Sequence, residues 1–303
     1  MIRGLNKKTG EVRWSYDIGK DGEQRQFHGD PLVTDKLLVL GTDGKIGHVY
    51  AFEPATGTVR WKYLVNDRGV ASDIVRLGQS VYFVTLGNEL VCLDLETGKR
   101  IWSMHSGYAG GDDCLTCSSP AAADGKVYFG GMDGLAYAFD AQTGKPLWKQ
   151  DLGGKVTTSA VIRGHDLYLG TAKRHLYRLN TETGKVENDL ATEAMPYGRL
   201  VIDDDFLLVF LGDEVLASFD LDLTKLRWSV EASKEWTSAR PYPWKDVVLA
   251  GNRRELIALR STDGTRVWSQ QFPETVRGIG TSSTDVLYVG TLKGPVFGYA
   301  SKP

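Results

Sequence analysis

The residues in this chain whose types and spacing could do chemistry are three arginines and two acids. Arg199, Arg240 and Arg277 stand 41 and 37 residues apart, and Asp30 and Asp73 are separated by 43, with His28 beside the first. A guanidinium is a rigid fork of donors that grips a carboxylate or phosphate at two points, and a facing aspartate can orient an amine or hydroxyl. The plainer reading is that these charges face one another across water and satisfy one another. A second cluster, Trp236 to Trp244, carries two Trp, Tyr242, Arg240 and two Pro. Exposed, it has the composition of a protein or glycan contact; buried, it covers an irregular turn.

The cysteines suggest less. Cys114 and Cys117 form the one Cys-x-x-Cys, but residue 118 is Ser, where covalent haem attachment needs His. The pair supplies two zinc ligands, and neighbouring His105, Asp112 and Asp113 match no familiar zinc spacing. Inert or loop-stapling cysteines, a local disulfide and a metal or redox pair all stay open. Cys92 reads as buried filler in a strand, and three cysteines leave at least one free thiol. The run Asp203-Asp204-Asp205 stands where other segments carry Asp-Gly, so a solvated turn is expected there.

What must position these residues is a repeat. A stretch of the form apolar-x-apolar, Asp or Asn, two residues, Thr-Gly, three residues, Trp recurs at 93–102 and 139–148, and at 52–61 with Glu53 in the acid position. A fragment runs from Thr9 to Trp14, Asp263-Gly264 leads to Trp268, and a degenerate copy ends at Trp228. At Thr183-Gly184 the reading places Glu187 where Trp is due. Intervals of 39–47 residues between these positions divide the chain into seven units. Each unit holds four β-branched or aromatic stretches separated by Gly-containing turns, which predicts a four-stranded antiparallel meander. Turns every 8 to 12 residues leave no room for a helical apolar period. In the Thr-Gly turn, Gly takes a positive φ while Asp and Thr side chains bond turn backbone; Trp fills the gap to the next sheet.

Four strands at this period make one propeller blade. The expected fold is therefore all-β, a seven-bladed β-propeller filling residues 1–303. Its blades are expected near 27–65, 69–106, 115–152, 156–190, 197–232 and 236–272, and at 277–300 joined by 7–18. The last unit lacks a Thr-Gly-Trp strand and residues 9–18 offer one, so the N-terminal outer strand is expected to close the C-terminal blade. Residues 1–6 also resemble a third strand, which leaves eight blades as the alternative. Innermost strands begin at a common height around a propeller axis. His28, Asp30, Asp73, Arg199, Trp236, Arg240 and Arg277 are therefore expected to line one funnel.

Tyr137 to Trp148, Tyr-Ala-Phe-Asp-Ala-Gln-Thr-Gly-Lys-Pro-Leu-Trp, resembles the signature of the pyrroloquinoline-quinone-like β-propeller repeat family, and weaker copies cover nearly all of the chain. That resemblance implies the fold and leaves function open among quinone-dependent dehydrogenases, a barrel-assembly lipoprotein, sensor domains and exported proteins. The dehydrogenases hold quinone between a Trp and an adjacent-cysteine disulfide, with Ca²⁺ on Glu, Asn and Asp. No two cysteines are adjacent here, so neither this cofactor nor catalysis is expected.

The expected function is a non-catalytic scaffold that recognises a protein partner or small anionic ligand at funnel or rim. The alternatives are a quinone- or metal-dependent oxidoreductase and a sensor or assembly module of a larger exported protein, which a start inside a repeat would fit. With 36 basic against 38 acidic residues, net −2, no nucleic-acid partner is expected. No apolar run reaches bilayer length, so no membrane span is expected. The N-terminus lacks a signal-peptide pattern. The resemblance nonetheless favours a periplasmic or extracellular home, and a monomer is expected.

Overall fold

Each turn signal of the repeat becomes a hairpin in the computed structural model of the protein. The structure describes residues 1–22, 27–44, 46–66, 68–106, 118–232, 235–237, 240–282, 286–292 and 296–300. The chain opens with a hairpin, β1 (Ile2–Leu5) and β2 (Val12–Tyr16), and one 3-10 turn, Ile18–Asp21. Six four-stranded antiparallel meanders follow. The first is β3 (Leu32–Val33), β4 (Leu38–Gly41), β5 (Gly47–Phe52) and β6 (Val59–Val65). The second is β7 (Val75–Leu77), β8 (Ser80–Val84), β9 (Glu89–Asp94) and β10 (Arg100–His105). The third is β11 (Ala121–Ala123), β12 (Lys126–Gly130), β13 (Leu135–Asp140) and β14 (Pro146–Asp151). The fourth is β15 (Val161–Arg163), β16 (Asp166–Thr171), β17 (His175–Asn180) and β18 (Val186–Ala191). The fifth is β19 (Pro196–Asp203), β20 (Phe206–Leu211), β21 (Val215–Asp220) and β22 (Leu226–Glu231). The sixth is β23 (Tyr242–Trp244), β24 (Val247–Asn252), β25 (Glu255–Arg260) and β26 (Arg266–Gln271). Three strands of a seventh, β27 (Val276–Thr281), β28 (Val286–Thr291) and β29 (Val296–Ala300), end the described chain.

The fold class is thus the expected one: all-β, a seven-bladed propeller of antiparallel blades. The closing strand differs from expectation. Among the described residues β2 pairs with β1, Ile2 opposite Tyr16, and β29 pairs with β28. Residues 2–5 supply β2 with a complete strand partner of their own, which accounts for the difference. Among the described residues, no helix is long and apolar enough to cross a membrane.

The chain divides into two compact units, Met1–Ile162 with Thr181–Lys185, and Arg163–Asn180 with Val186–Pro303. In the first, the core lies between sheets: Val39, Val49 and Ala51 pack on Val81, Phe83 and Leu93, and Tyr82, Leu90 and Cys92 pack on Val127, Phe129 and Phe139. In the second, Phe206, Leu208 and Phe210 pack on Val248, Ala250 and Leu259. Middle strands are covered on both faces, so β5, β20 and β24 are buried at every residue.

The repeated Trp is the joint between blades. The indole Nε1–H donates to a backbone carbonyl of the next Thr-Gly turn: Trp14 to Pro54, Trp61 to Leu95, Trp102 to Ala141, Trp148 to Thr181 and Trp228 to Ser261, all at 2.9–3.0 Å. That carbonyl lies three residues before the turn glycine, whose bare face receives the ring. A Cβ on Gly98, Gly144, Gly184 or Gly264 would fall 2.5–2.8 Å from the indole. The turn is braced as expected. Asp94 Oδ1 accepts from Thr97 N at 2.8 Å and Thr97 Oγ1 at 2.6 Å, and Asp140 does the same for Thr143. These donors, the Thr hydroxyls first, hold both carboxyls below the ordinary aspartate range. Across the strand from each Trp stands a small residue: Gly4, Ala51, Cys92, Ala138, Ser218 or Ala258. The Thr181–Lys185 turn groups with the first unit because Trp148 holds it there.

One joint is built differently. The residue in the Trp register is Asn188, opposite Arg178, and not Glu187 as expected. Asn188 Nδ2 donates to the carbonyls of Asp222 at 2.7 Å and Leu223 at 3.2 Å, while Arg178 reaches the Asp222 carboxylate at 2.7 Å. The receiving turn has no glycine, and its positive φ falls on Leu223 at 54°. The apolar plate and its glycine cradle are absent together, replaced by a polar seam.

Cys92 is the filler expected of it. It is wholly buried under Trp102, and burial pushes its thiol up to about 11. A thiol so placed is a poor nucleophile. Alkylation of the native protein near pH 8, read by peptide mass spectrometry, should leave Cys92 unmodified until denaturant is added; rapid native labelling would contradict this packing.

Candidate functional site

The expected ligand residues fall in both compact units, and each set is taken in its own unit. In the first, the innermost segments of successive blades are bonded side to side. Asp30 N–H donates to Asp73 Oδ1 at 2.6 Å, Asp73 N–H to Ser119 Oγ at 2.9 Å, and Ala160 N–H to the Ser119 carbonyl at 3.0 Å. A Cβ on Gly29 would run into the Ser72 carbonyl, so Gly at this position allows the close approach. Three of the sequence-selected positions thus lie together: Asp30, Asp73 and, through Gly29, the His28 segment. His28 Nε2 lies 2.9 Å from Asp43 Oδ2, with the imidazole 45% and the carboxylate 13% exposed. Asp43 is a partner sequence reasoning missed.

In the second unit, Thr237 and Arg277 come together. Arg277 Nη1 donates to the Thr237 carbonyl at 3.4 Å, and Thr237 Oγ1 donates to the Val276 carbonyl at 2.8 Å. The Arg240 guanidinium stands 5.8 Å from the Tyr242 ring centroid, and the Tyr242 hydroxyl lies 2.9 Å from Thr281 Oγ1. Arg199, on β19, is only 9% exposed. Trp236 corrects the expectation of a ligand-facing aromatic. It is 8% exposed, stacks on Phe210 with centroids 5.9 Å apart, and donates Nε1–H to the Glu214 carbonyl. Its indole is committed to the core between β20 and β24. Trp244 packs partly buried on the neighbouring cluster, under Lys245.

Cys114 and Cys117 lie outside the described residues. His105 Nδ1 is 3.0 Å from the Ser106 carbonyl. Among the described residues, no three His, Cys, Asp or Glu side chains are grouped as a metal ion would require. Asp204, with φ 45°, forms the turn between β19 and β20, as expected of the acidic run.

A partly buried polar cluster in the first unit carried no sequence signal. Asp21 accepts from Tyr16 Oη at 2.5 Å, Tyr50 Oη at 3.1 Å and Lys62 Nζ at 2.5 Å. Its members come from β2, the 3-10 turn, β5 and β6, separated by 5 to 41 residues in pairs with Asp21. Burial pushes the Asp21 carboxyl up, and Lys62, Tyr16 and Tyr50 more than offset this and hold it below its ordinary value. His48, 6% exposed and tilted against the Tyr50 ring, is held below the usual imidazole range by burial. With every donor aimed at one carboxylate, the cluster clasps residues 17–22 to the first blade.

Comparison with known proteins decides the family. Residues 2–114, 115–227 and 212–302 each match the family model described as Outer membrane protein assembly factor BamB. The chain belongs to that family. The BamB-family chain is 23% identical over 221 residues to BamB of Yersinia pestis, covering 69% of this chain and 54% of that protein. It is 30% identical over 160 residues to the dehydrogenase subunit of the quinone alcohol dehydrogenase of Gluconobacter oxydans, covering 46% and 20%. It spans between a fifth and about half the length of these curated relatives. The solved structure of BamB from Moraxella catarrhalis superposes with a TM-score of 0.78 at 19% identity, covering 97% of this chain and 87% of that one.

Proposed function

We propose that this BamB-family chain is a non-catalytic scaffold that recognises a protein partner during outer-membrane protein assembly, in the periplasm or outside the cell. The observation that carries the reading is the extent of the family match, which runs from residue 2 to residue 302. Sequence likeness to the quinone dehydrogenase of Gluconobacter oxydans covers 46% of the chain. Rigidity suits the role. Sheets locked by indole joints hold their turns still, so little ordering entropy is lost when a partner binds. The polar groups at partly exposed Arg240 and Tyr242 and at exposed Arg277 are the proposed contact, with a carboxylate or phosphate group of the partner as counterpart.

Deleting the gene in its host should lower the yield of folded outer-membrane β-barrels, and wild-type protein should restore it while the Arg240→Glu, Arg277→Glu double variant, folded by circular dichroism, should not. Unchanged barrel content on deletion would remove the assembly reading, and full rescue by the double variant would remove the proposed contact.

The likeness to quinone dehydrogenases favours one second reading, an oxidoreductase. The residues present do not fit the quinone and its Ca²⁺. The three cysteines, at 92, 114 and 117, include no adjacent pair, and Cys92 is sealed under Trp102. Pyrroloquinoline quinone with Ca²⁺ should therefore produce no bound-cofactor absorbance and no thermal shift; stoichiometric uptake would reverse the assignment.

A further inference from the structure

Five aspartates of the chain are followed by glycine, Asp21, Asp43, Asp124, Asp133 and Asp263, and no asparagine is. In this dipeptide a main-chain nitrogen most readily reaches the carboxyl carbon of the preceding side chain, because glycine puts no Cβ in the way. The fold obstructs that route at four of the five. Asp21 is gripped by Tyr16, Tyr50 and Lys62. Asp43 Oδ2 lies 2.9 Å from His28 Nε2, and the Gly44 amide donates to the Arg68 carbonyl at 3.1 Å. Asp133 accepts from the Tyr137 hydroxyl and from Leu135 N–H at 3.1 Å, while the Gly134 amide donates to the Gly131 carbonyl at 3.2 Å. Asp263 accepts from Thr265 N–H at 2.8 Å and Arg260 Nη1 at 3.1 Å, and beneath the Trp228 ring the Gly264 amide donates to the Arg260 carbonyl at 2.9 Å.

Asp124 is built differently. Asp124 and Gly125 are the reversal between β11 and β12, with φ of 49° and 73° and with Ala123 opposite Lys126. Both are exposed. Among the described residues, none donates to the Asp124 carboxylate, and the Gly125 amide donates to no carbonyl. Apart from its chain neighbours, no described heavy atom comes within 4 Å of a Cβ built on Gly125. Nucleophile and carboxyl carbon thus stand side by side at a loop tip, with neither tied to another group.

We propose that Asp124–Gly125 is a covalent modification site at which the folded protein converts Asp124 to isoaspartate. The Gly125 nitrogen attacks Cγ of the protonated Asp124 carboxyl; the N–Cγ bond forms, the Cγ–OH bond breaks, and the hydroxyl leaves with the amide proton as water. Water then adds to the cyclic imide at the former main-chain carbonyl and breaks its bond to nitrogen, so the chain runs on through Cγ. Mass is unchanged, a methylene enters the reversal, and a carboxylate on Cα becomes the side group. The effect reaches a blade joint. The Gly125 carbonyl accepts from Ala141 N–H at 2.9 Å, and the Ala141 carbonyl accepts from the Tyr82 hydroxyl at 2.9 Å and the Trp102 indole at 3.0 Å. Lengthening the reversal displaces the first link of that series, so an aged chain holds its second and third sheets together less firmly. This goes beyond the scaffold reading and does not depend on it.

The intact protein, kept near neutral pH for weeks, digested and read by mass spectrometry with fragmentation that separates isoaspartate from aspartate, tests the proposal. Isoaspartate should accumulate at position 124 about fivefold or more faster than at each of the other four sites, the factor that first breaking one net hydrogen bond imposes on them. In denaturant all five should react alike, because the fold alone ranks them. Asp124→Glu, folded by cooperative unfolding, should form no isomer in its peptide, since closure there needs a larger ring. Asp124→Asn should react faster, losing ammonia. After ageing, wild type should melt below Asp124→Glu aged alongside it. Accumulation at position 124 no faster than elsewhere in the folded protein, or the same ranking in denaturant, overturns the proposal; an isomerised protein with an unchanged melting temperature overturns the link to the Trp102 joint.

Discussion

Gly98→Ala is expected to cost about 3–5 kcal/mol of stability, while Gly10→Ala, in a turn of the same build, is expected to cost about 1–2 kcal/mol. Both glycines have positive φ, 67° and 75°, so the backbone penalty for adding a Cβ is nearly common to the two. The difference lies above the turn. At Gly98 the new methyl would sit 2.5 Å from the Trp61 ring, which is 8% exposed and fixed by its bond to the Leu95 carbonyl. The ring must then leave its seat, which forfeits packing on the order of that lost in a large-to-small core change. Paired urea titrations read the difference directly. Equal losses at the two sites would mean that the indole contributes nothing specific to the joint.

Asp21→Ala is expected to cost about 1–3 kcal/mol near neutral pH, because it leaves the partly buried Tyr16 and buried Tyr50 hydroxyls without the acceptor they share, while Lys62, half exposed, returns to water. The sign of its pH dependence follows from the carboxyl's depressed value in the folded protein. The unfolded chain binds the proton more readily, so the clasp's contribution is fully present above the ordinary aspartate range near about pH 4 and is lost as pH falls through the lower folded value. His48 acts in the same direction: an imidazole held below its ordinary range favours the folded state less once the pH is acid enough to charge it. Melting temperatures of wild type and Asp21→Ala should therefore converge toward low pH. A gap that stays constant down to about pH 3 would show that the carboxylate charge is not what holds residues 17–22.

The blades were legible because a Thr-Gly reversal followed by Trp is a local requirement: the turn needs a left-handed residue, the carboxylate brace needs Asp or Asn, and the plate needs an aromatic. The motif's own spacing, with three residues between the turn glycine and the Trp position, already points from Gly184 to Asn188; the reading of Glu187 fell one residue short because no Trp stands there to fix the register, and Arg178 opposite Asn188 marks the changed joint. The closing strand was less legible, since residues 2–5 and 296–300 read alike and choice of partner is a matter of tertiary pairing. At the candidate site the composition around Trp236 could not tell a core plate from an exposed one, and the answer rests on Phe210 and the Glu214 carbonyl, both over 20 residues away. The Asp21 clasp left no trace, because a hydroxyl, an amine and a carboxylate on four elements have no shared period.

The seam of Asn188, Arg178 and Asp222 makes the propeller wall uneven in what it responds to. Dissolved ions shield a guanidinium from a carboxylate but leave ring-on-glycine packing untouched. In a saline medium the wall between the fourth and fifth sheets would therefore loosen first, so strain applied anywhere along the second unit has a preferred line along which to yield.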